Sequence, residues 1–296
     1  MQKILVTGAN GFVGYYVVKY LLENNFYVLA TGKGPTRLPF ASDHFEYHTL
    51  DFTDEFQVRN FFIHHKPSVV IHSGAMSKPD ECEENREAAF RTNVTGTIHL
   101  LNNAEDLKCF FLFISTDFVF DGAKGMYDEE AATGAVNYYG TTKQLAEEET
   151  MKYQSDRAIV RTVLVYGKPF LNRQNLLTNT ANALKKGEEL KIFNDQVRTP
   201  TYVEDLAKAI VTIITKRATG IFHISGEDVL TPYEMAVATA TFLGLNKSLI
   251  APVTEDDFKQ PARRPLKTGF DITKAKKMLG YKPTGFTEGL RLTFSN

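Results

Sequence analysis

The stretch Met1–Gly14, MQKILVTGANGFVG, constrains this chain more than any other. Lys3–Val6 is a short apolar run of the kind that forms a buried strand, and Thr7–Gly14 then sets glycines at 8, 11 and 14 before a helical pattern begins. The reading is strand, tight turn, helix start. Gly8 suits the turn, Gly11 lets a pyrophosphate approach the backbone, and Gly14 lets the helix pack close on the strand. A dinucleotide with its phosphates at the helix N-terminus is the ligand this pattern implies, with Gly8, Asn10, Gly11, Phe12 and Val13 as the expected contacts. The GxxGxxG spacing differs from the commoner GxGxxG, and glycine turns also form for structural reasons alone, so the rest of the chain has to bear it out.

A chain of 296 residues can bury a large core in one domain or two. The formal charge is −1 with both signs spread along the sequence, which argues against nucleic acid and against an anionic membrane surface as partners. No apolar stretch is long enough for a membrane span and no signal-peptide h-region follows Lys3, so a cytoplasmic protein with a small polar ligand is expected. Cys82 and Cys109 form no CxxC, and among the histidines only His64 and His65 are adjacent, pointing different ways as neighbours do. Packing roles are expected for them and no catalytic metal.

Along the chain, strands are expected at Phe26–Ala30, His44–Leu50, Ser68–His72, Cys109–Ile114 and Ala158–Tyr166, alternating with helices from Gly11 to Asn24, from Glu84 to Ala104, and from the opening stretch Asn137–Lys143 to about Lys152. That alternation implies a doubly wound, Rossmann-like parallel sheet covered on both faces. No acid stands at the end of the second strand, where an NAD ribose would need one. Lys33 and Arg37 are placed instead to meet a 2′-phosphate, so NADP(H) is favoured with NAD(H) as the alternative. Asp51 and Phe52 are positioned to flank an adenine, and the small residues Ser73, Gly74 and Ala75 leave room for a cofactor crossing the sheet edge. Beyond Gly167 the pattern changes: a helix at 175–186, a strand at 190–193, a helix at 203–215, and a run at 220–225 that could return to the sheet. Residues 1–166, rejoined by about 203–225, are read as the dinucleotide-binding domain, and 167–202 with 226–296 as a smaller C-terminal α/β lobe for substrate.

Tyr139 and Lys143 lie four apart and share a helix face. A YxxxK pair is weak alone, and Tyr15 with Lys19 makes another. The later pair has a partner, because the strand-end hydroxyls Ser115-Thr116 can face its helix across the crevice. With the TGxxGxxG turn, these motifs in this order resemble the extended short-chain dehydrogenase/reductases. Within that superfamily the chain is most similar to the dTDP-4-dehydrorhamnose reductases, through STDFVFDG at 115–122, NYYGTTK at 137–143, VRTVLVYG at 160–167, DQVRTPTYVEDLA at 195–207 and ARRPLKTGFD at 262–271.

The resemblance implies Thr116, Tyr139 and Lys143 as the catalytic set, with Tyr139 and Lys143 also meeting the cofactor. Chemistry agrees: carbonyl reduction needs a proton on oxygen, a phenol with a pKa of about 10 gives one up poorly near neutrality, and a nearby ammonium lowers that pKa. The resemblance further implies substrate contacts from Ser77, Thr116, Asp117, Phe118 and Tyr139. It also implies a diphosphate clamp from Arg198 and Arg264, whose planar forks bind phosphate oxygens in pairs. Three departures stand out. Leu164 takes the place of a tryptophan near the sugar, and the chain has no Trp at all. Gly134 replaces a common proline. Phe118 stands where dehydratases carry a glutamate, which disfavours dehydration. The implied activity is NAD(P)H-dependent reduction of a 4-keto-6-deoxy nucleotide sugar, and the resemblance leaves room for a homodimer. Two alternatives stay open: a nucleotide-sugar 4-epimerase, and a non-catalytic regulatory subunit like that of methionine adenosyltransferase.

Overall fold

The first apolar run becomes the centre of a sheet. Strand β1 (Lys3–Thr7) leads through the glycine turn into α1 (Phe12–Glu23), β2 (Tyr27–Gly32) and β3 (Phe45–Thr49). Then come α2 (Glu55–His65), β4 (Val69–His72), the short helices α3 (Pro79–Glu84) and α4 (Arg86–Phe90), α5 (Gly96–Asp106) and β5 (Phe110–Thr116). Helix α6 (Tyr138–Lys152), β6 (Arg157–Thr162), β7 (Val165–Tyr166), α7 (Leu176–Lys185), β8 (Leu190–Phe193) and β9 (Thr201–Tyr202) follow. The last elements needed here are α8 (Val203–Lys216), β10 (Gly220–Ile224), α9 (Pro232–Phe242) and β11 (Ile250–Val253). This computed structural model describes residues 2–170 and 173–295, so Met1 lies outside the described residues.

Seven strands form one sheet in the order β10-β6-β5-β4-β1-β2-β3, and every neighbouring pair is parallel. The order turns back between β1 and β4, which opens a crevice at their C-terminal ends. Alternate residues of each strand face opposite layers. Ile4, Val6, Val28 and Leu112 pack with Val17, Leu21, Leu206 and Ile210, while Leu5, Leu29, Val70 and Phe111 pack with Val58, Phe62, Leu100 and Ala146. Both faces are therefore apolar, and the strands read as continuous hydrophobic runs.

Strand β10 pairs with β6, so the chain does return to the sheet after leaving it. The departure builds a smaller layer in which parallel β8 and β11 lie against α7 and α9 around Leu184, Ala236, Ala240 and Ile250. No helix among the described residues is long and apolar enough to cross a membrane.

Three elements differ from the sequence expectation. Helix α2 has only a weakly amphipathic pattern in EFQVRNFFIHH, and the packing of Val58, Phe61 and Phe62 is what reveals it. The long helix expected over 84–104 is broken into α3, α4, a π-helical turn at Arg91–Thr95, and α5. The strand expected over 158–166 is split, because Leu164 takes a left-handed φ of 34° between β6 and β7.

Candidate active site

The turn after β1 is built by close backbone approach. Gly8 has φ 68°, and a Cβ there would sit 2.7 Å from the Cα and the backbone nitrogen of Gly74 in the loop after β4. A Cβ on Gly14 would sit 2.3 Å from the Gly8 carbonyl oxygen. Only glycine lets the two loops and the helix meet so closely. Helix α1 starts at Gly11, with no capping side chain and no acid in its first turn. Its first N–H groups, at Phe12 and Val13, thus lack a side-chain partner, and the helix dipole adds partial positive charge there. These residues fit a dinucleotide pyrophosphate. The walls are glycine backbone and Ser73-Gly74-Ala75.

Other expected cofactor residues turn inward. The Asn10 side chain donates to Pro35 O (3.1 Å) and Tyr47 Oη (2.8 Å) and accepts from Arg37 N (3.0 Å), so it shapes the 33–37 loop instead of facing the crevice. The Phe52 ring is buried, edge-on to His72, and occupies the space beside Gly74 and Gly96 where side chains would otherwise be. It supports the crevice floor beneath Gly74. Lys33 is exposed and pairs with Asp51 at 3.0 Å.

The second half of the site lies at the end of β5. Asn137 caps α6 by accepting from Gly140 N at 2.9 Å, and its amide donates to Arg263 O at 2.7 Å. A Cβ on Gly140 would lie 2.1 Å from the Phe118 carbonyl, so this glycine lets α6 press against the turn after β5. That approach brings Tyr139 beside Thr116 and edge-on to Phe118 at 5.8 Å. Thr116 donates to Asp117 Oδ1 at 3.1 Å, and buried Asp117 also accepts from Thr268.

Burial sets the electrostatics here. It pushes the Tyr139 hydroxyl above its ordinary value, Asp117 and Cys82 add to the rise, and the Thr116 hydroxyl opposes it. Lys143 does not lower it as the sequence suggested: its Nζ donates to Ile114 O at 2.7 Å and lies 3.8 Å from the centre of the Phe113 ring. Burial instead pushes Lys143 itself down to about 7, with Glu147 opposing. Between about pH 7 and the ordinary lysine value the unfolded chain binds this proton and the native one does not, so stability rises with pH. Below about 7 both forms carry the charge and the full burial cost stands. Melting temperatures of the ligand-free protein from pH 7 to 10 should therefore show a positive slope that Lys143→Met removes.

The expected diphosphate clamp is differently disposed. Arg198 is buried, and its guanidinium donates to Val197 O (2.9 Å), Pro265 O (2.7 Å), Leu266 O (3.0 Å) and Gln196 Oε1 (3.3 Å), with Asp117 at 3.7 Å. A buried cation needs its donors satisfied, and the carbonyls of 265–266 satisfy them. It therefore holds the 260–267 segment rather than an open anion site. Arg264 grips Asp80 in a bidentate pair (2.6 and 2.7 Å), yet it also lines a 430 Å³ cavity with Phe193, Gln196, Phe258 and Arg263. Ser77 is exposed before α3; Lys78, not Ser77, occupies the N-cap position.

Asn93 was absent from the sequence reading. It sits in the π-helical turn, accepts from Met76 N at 2.8 Å, and donates to Met76 O (3.0 Å) and Thr142 Oγ1 (2.9 Å). It ties the loop after β4 to α6, and π turns often mark functional sites. Only a polar residue inside a long apolar-patterned helix could have signalled it. Asn93→Ala should cost about 1–3 kcal/mol, since it strands the part-buried Met76 N–H and C=O and removes the donor to the buried Thr142 hydroxyl, and denaturant unfolding measures this.

The family model of the RmlD substrate binding domain matches residues 1–296. The chain is 30% identical to methionine adenosyltransferase 2 subunit beta of Xenopus tropicalis, over 98% of this chain and 86% of that protein. It superposes on a dTDP-4-dehydrorhamnose reductase from Clostridium acetobutylicum with TM-score 0.86 and 30% identity, covering 98% of this chain and 97% of that one. A dTDP-4-dehydrorhamnose reductase from Bacillus anthracis, solved with NADP, gives TM-score 0.85 at 25% identity over 99% of both chains.

Proposed function

The chain belongs to the RmlD substrate binding domain family, and from that premise we propose that it reduces the 4-keto group of a 6-deoxy nucleotide sugar with NADPH. The observation that carries this reading is the meeting of Thr116 and Tyr139 at the end of β5, with Lys143 one helical turn further along α6. Residues 1–166 with 203–225 hold the dinucleotide, and 167–202 with 226–296 hold the nucleotide sugar. The bound nicotinamide would supply the hydride for the carbonyl carbon. Tyr139 keeps its proton at neutral pH because burial disfavours the phenolate, and it would deliver that proton only as hydride transfer turns the substrate oxygen into a strongly basic alkoxide. Thr116, whose hydroxyl proton is given to Asp117 in the ligand-free chain, would turn that proton to the same oxygen. Lys143 would hold the nicotinamide ribose. Arg264, at the cavity wall, meets the diphosphate.

The test is oxidation of NADPH and of NADH, in parallel, with dTDP-4-dehydrorhamnose. Turnover with the sugar supports the reading, and Lys33→Ala should then raise KM for NADPH about tenfold without changing that for NADH. A change equal for both cofactors removes the 2′-phosphate assignment. The 30% identity to a methionine adenosyltransferase subunit favours a second, non-catalytic reading. No turnover together with stoichiometric recovery of a methionine adenosyltransferase catalytic subunit would select it. NAD that stays bound through purification would point instead to an epimerase.

A further inference from the structure

Three metal-ligating side chains converge at the outer edge of the sheet, across β1 and β2 from the reaction centre. Glu46 and His48 are two apart on β3 and share one face of the strand. His65 is the last residue of α2, which covers that face. One ligand atom from each lies within 4.8 Å of the other two. His48 Nε2 is 2.8 Å and His65 Nδ1 is 4.0 Å from the same oxygen, Glu46 Oε2, and the two imidazole rings are 4.3 Å apart.

We propose that Glu46, His48 and His65 bind one divalent transition-metal ion of the zinc class. Imidazole nitrogens and a carboxylate oxygen suit such ions, with bonds of about 2.0–2.2 Å. Tetrahedral coordination at those lengths separates ligand atoms by about 3.4 Å, so the two distances to Glu46 need adjustments of about 0.6 Å each. The surroundings are built for it. Tyr27 donates its hydroxyl to the other carboxylate oxygen, fixing Glu46 as outer partners of metal ligands do. The His65 ring stacks on Phe61 at 4.3 Å, and Lys66 ends the helix at once with φ 47°. The C-terminal end of α2 favours a cation.

Side-chain exposures of 38% for Glu46, 29% for His48 and 24% for His65 leave an approach for the ion and a fourth position for water. The ion would clip the edge strand to α2. Tyr47, on the opposite face of β3, bonds Asn10 (2.8 Å) and Gly34 O (2.9 Å), so the clip would also brace the 33–37 loop.

Titration of untagged, chelator-treated protein with Zn²⁺ or Co²⁺ alone tests this. Calorimetry should give one equivalent per chain, with a metal-dependent rise in Tm. His48→Ala and His65→Ala should each weaken binding at least tenfold, and Glu46→Gln gives a variant of unchanged shape should an alanine variant fail to fold. His64→Ala should bind as the parent does, because His64 Nδ1 donates to its own helix at Asn60 O (2.6 Å). No uptake, or uptake unchanged in the His48→Ala/His65→Ala double variant and in Glu46→Gln, overturns the proposal.

Discussion

Tyr139→Phe is expected to lower kcat for keto-sugar reduction by about 10²–10⁴-fold, the usual contribution of a positioned general acid. The change removes one oxygen from a buried side chain. Its ring keeps the edge contact with Phe118, and Asn137 still caps α6, so the fold and NADPH affinity should be preserved. Single-turnover assays at saturating NADPH and sugar, with cofactor binding measured separately, isolate the proton step. If the variant turns over at the parent rate, another group delivers the proton. Because burial raises the hydroxyl of Tyr139, the parent rate should not fall at mildly acidic pH through loss of this group. The proposed reduction needs its donor protonated, and the dry surroundings of Tyr139 keep it so.

Gly140→Ala is expected to damage both stability and activity. The new methyl would meet the Phe118 carbonyl at 2.1 Å, a backbone atom with no side-chain freedom to yield. Either α6 backs away from β5 or the 116–120 turn shifts, at a cost of about 3 kcal/mol or more. Thermal unfolding should report a fall in Tm on the order of 5–10 °C. Any folded fraction should be nearly inactive, since Tyr139 and Thr116 then separate and a misplacement of about 1 Å can cost 10²-fold. A variant with parent-like Tm and kcat would mean that the close approach of α6 does not position the site.

These two residues differ in how far the sequence exposes them. Tyr139 is legible because a YxxxK pair follows a strand-end threonine, and one motif interprets the other. Gly140, directly after Tyr139 in the same motif, gives no such signal: a glycine in the first turn of a helix reads as a weak propensity, and its reason is a carbonyl on a different element. Arg198 shows the same limit from the other side. Its place in DQVRTPTYVEDLA points to an anion, but the fold carries it inside, where the carbonyls of Pro265 and Leu266 take its donors. The side chains of Asn10 and Phe52, expected to face a dinucleotide, find partners within the protein, because sequence gives position along an element and not the partner a side chain finds across it.

The order of elements was determined by local chemistry. The glycine turn, the alternation of apolar runs with helical stretches, and the return at 220–224 are properties of neighbouring residues, and they suffice for a doubly wound parallel sheet. What only the tertiary structure decided are meetings between distant residues: Gly8 against Gly74, Gly140 against Phe118, Asn93 between Met76 and Thr142, and Glu46 and His48 beside His65. Burial depends on those meetings, and burial in turn sets which direction Tyr139 and Lys143 titrate. Periodicity encodes which face is apolar, but the dielectric around a hydroxyl or an ammonium is fixed only once the layers close over it.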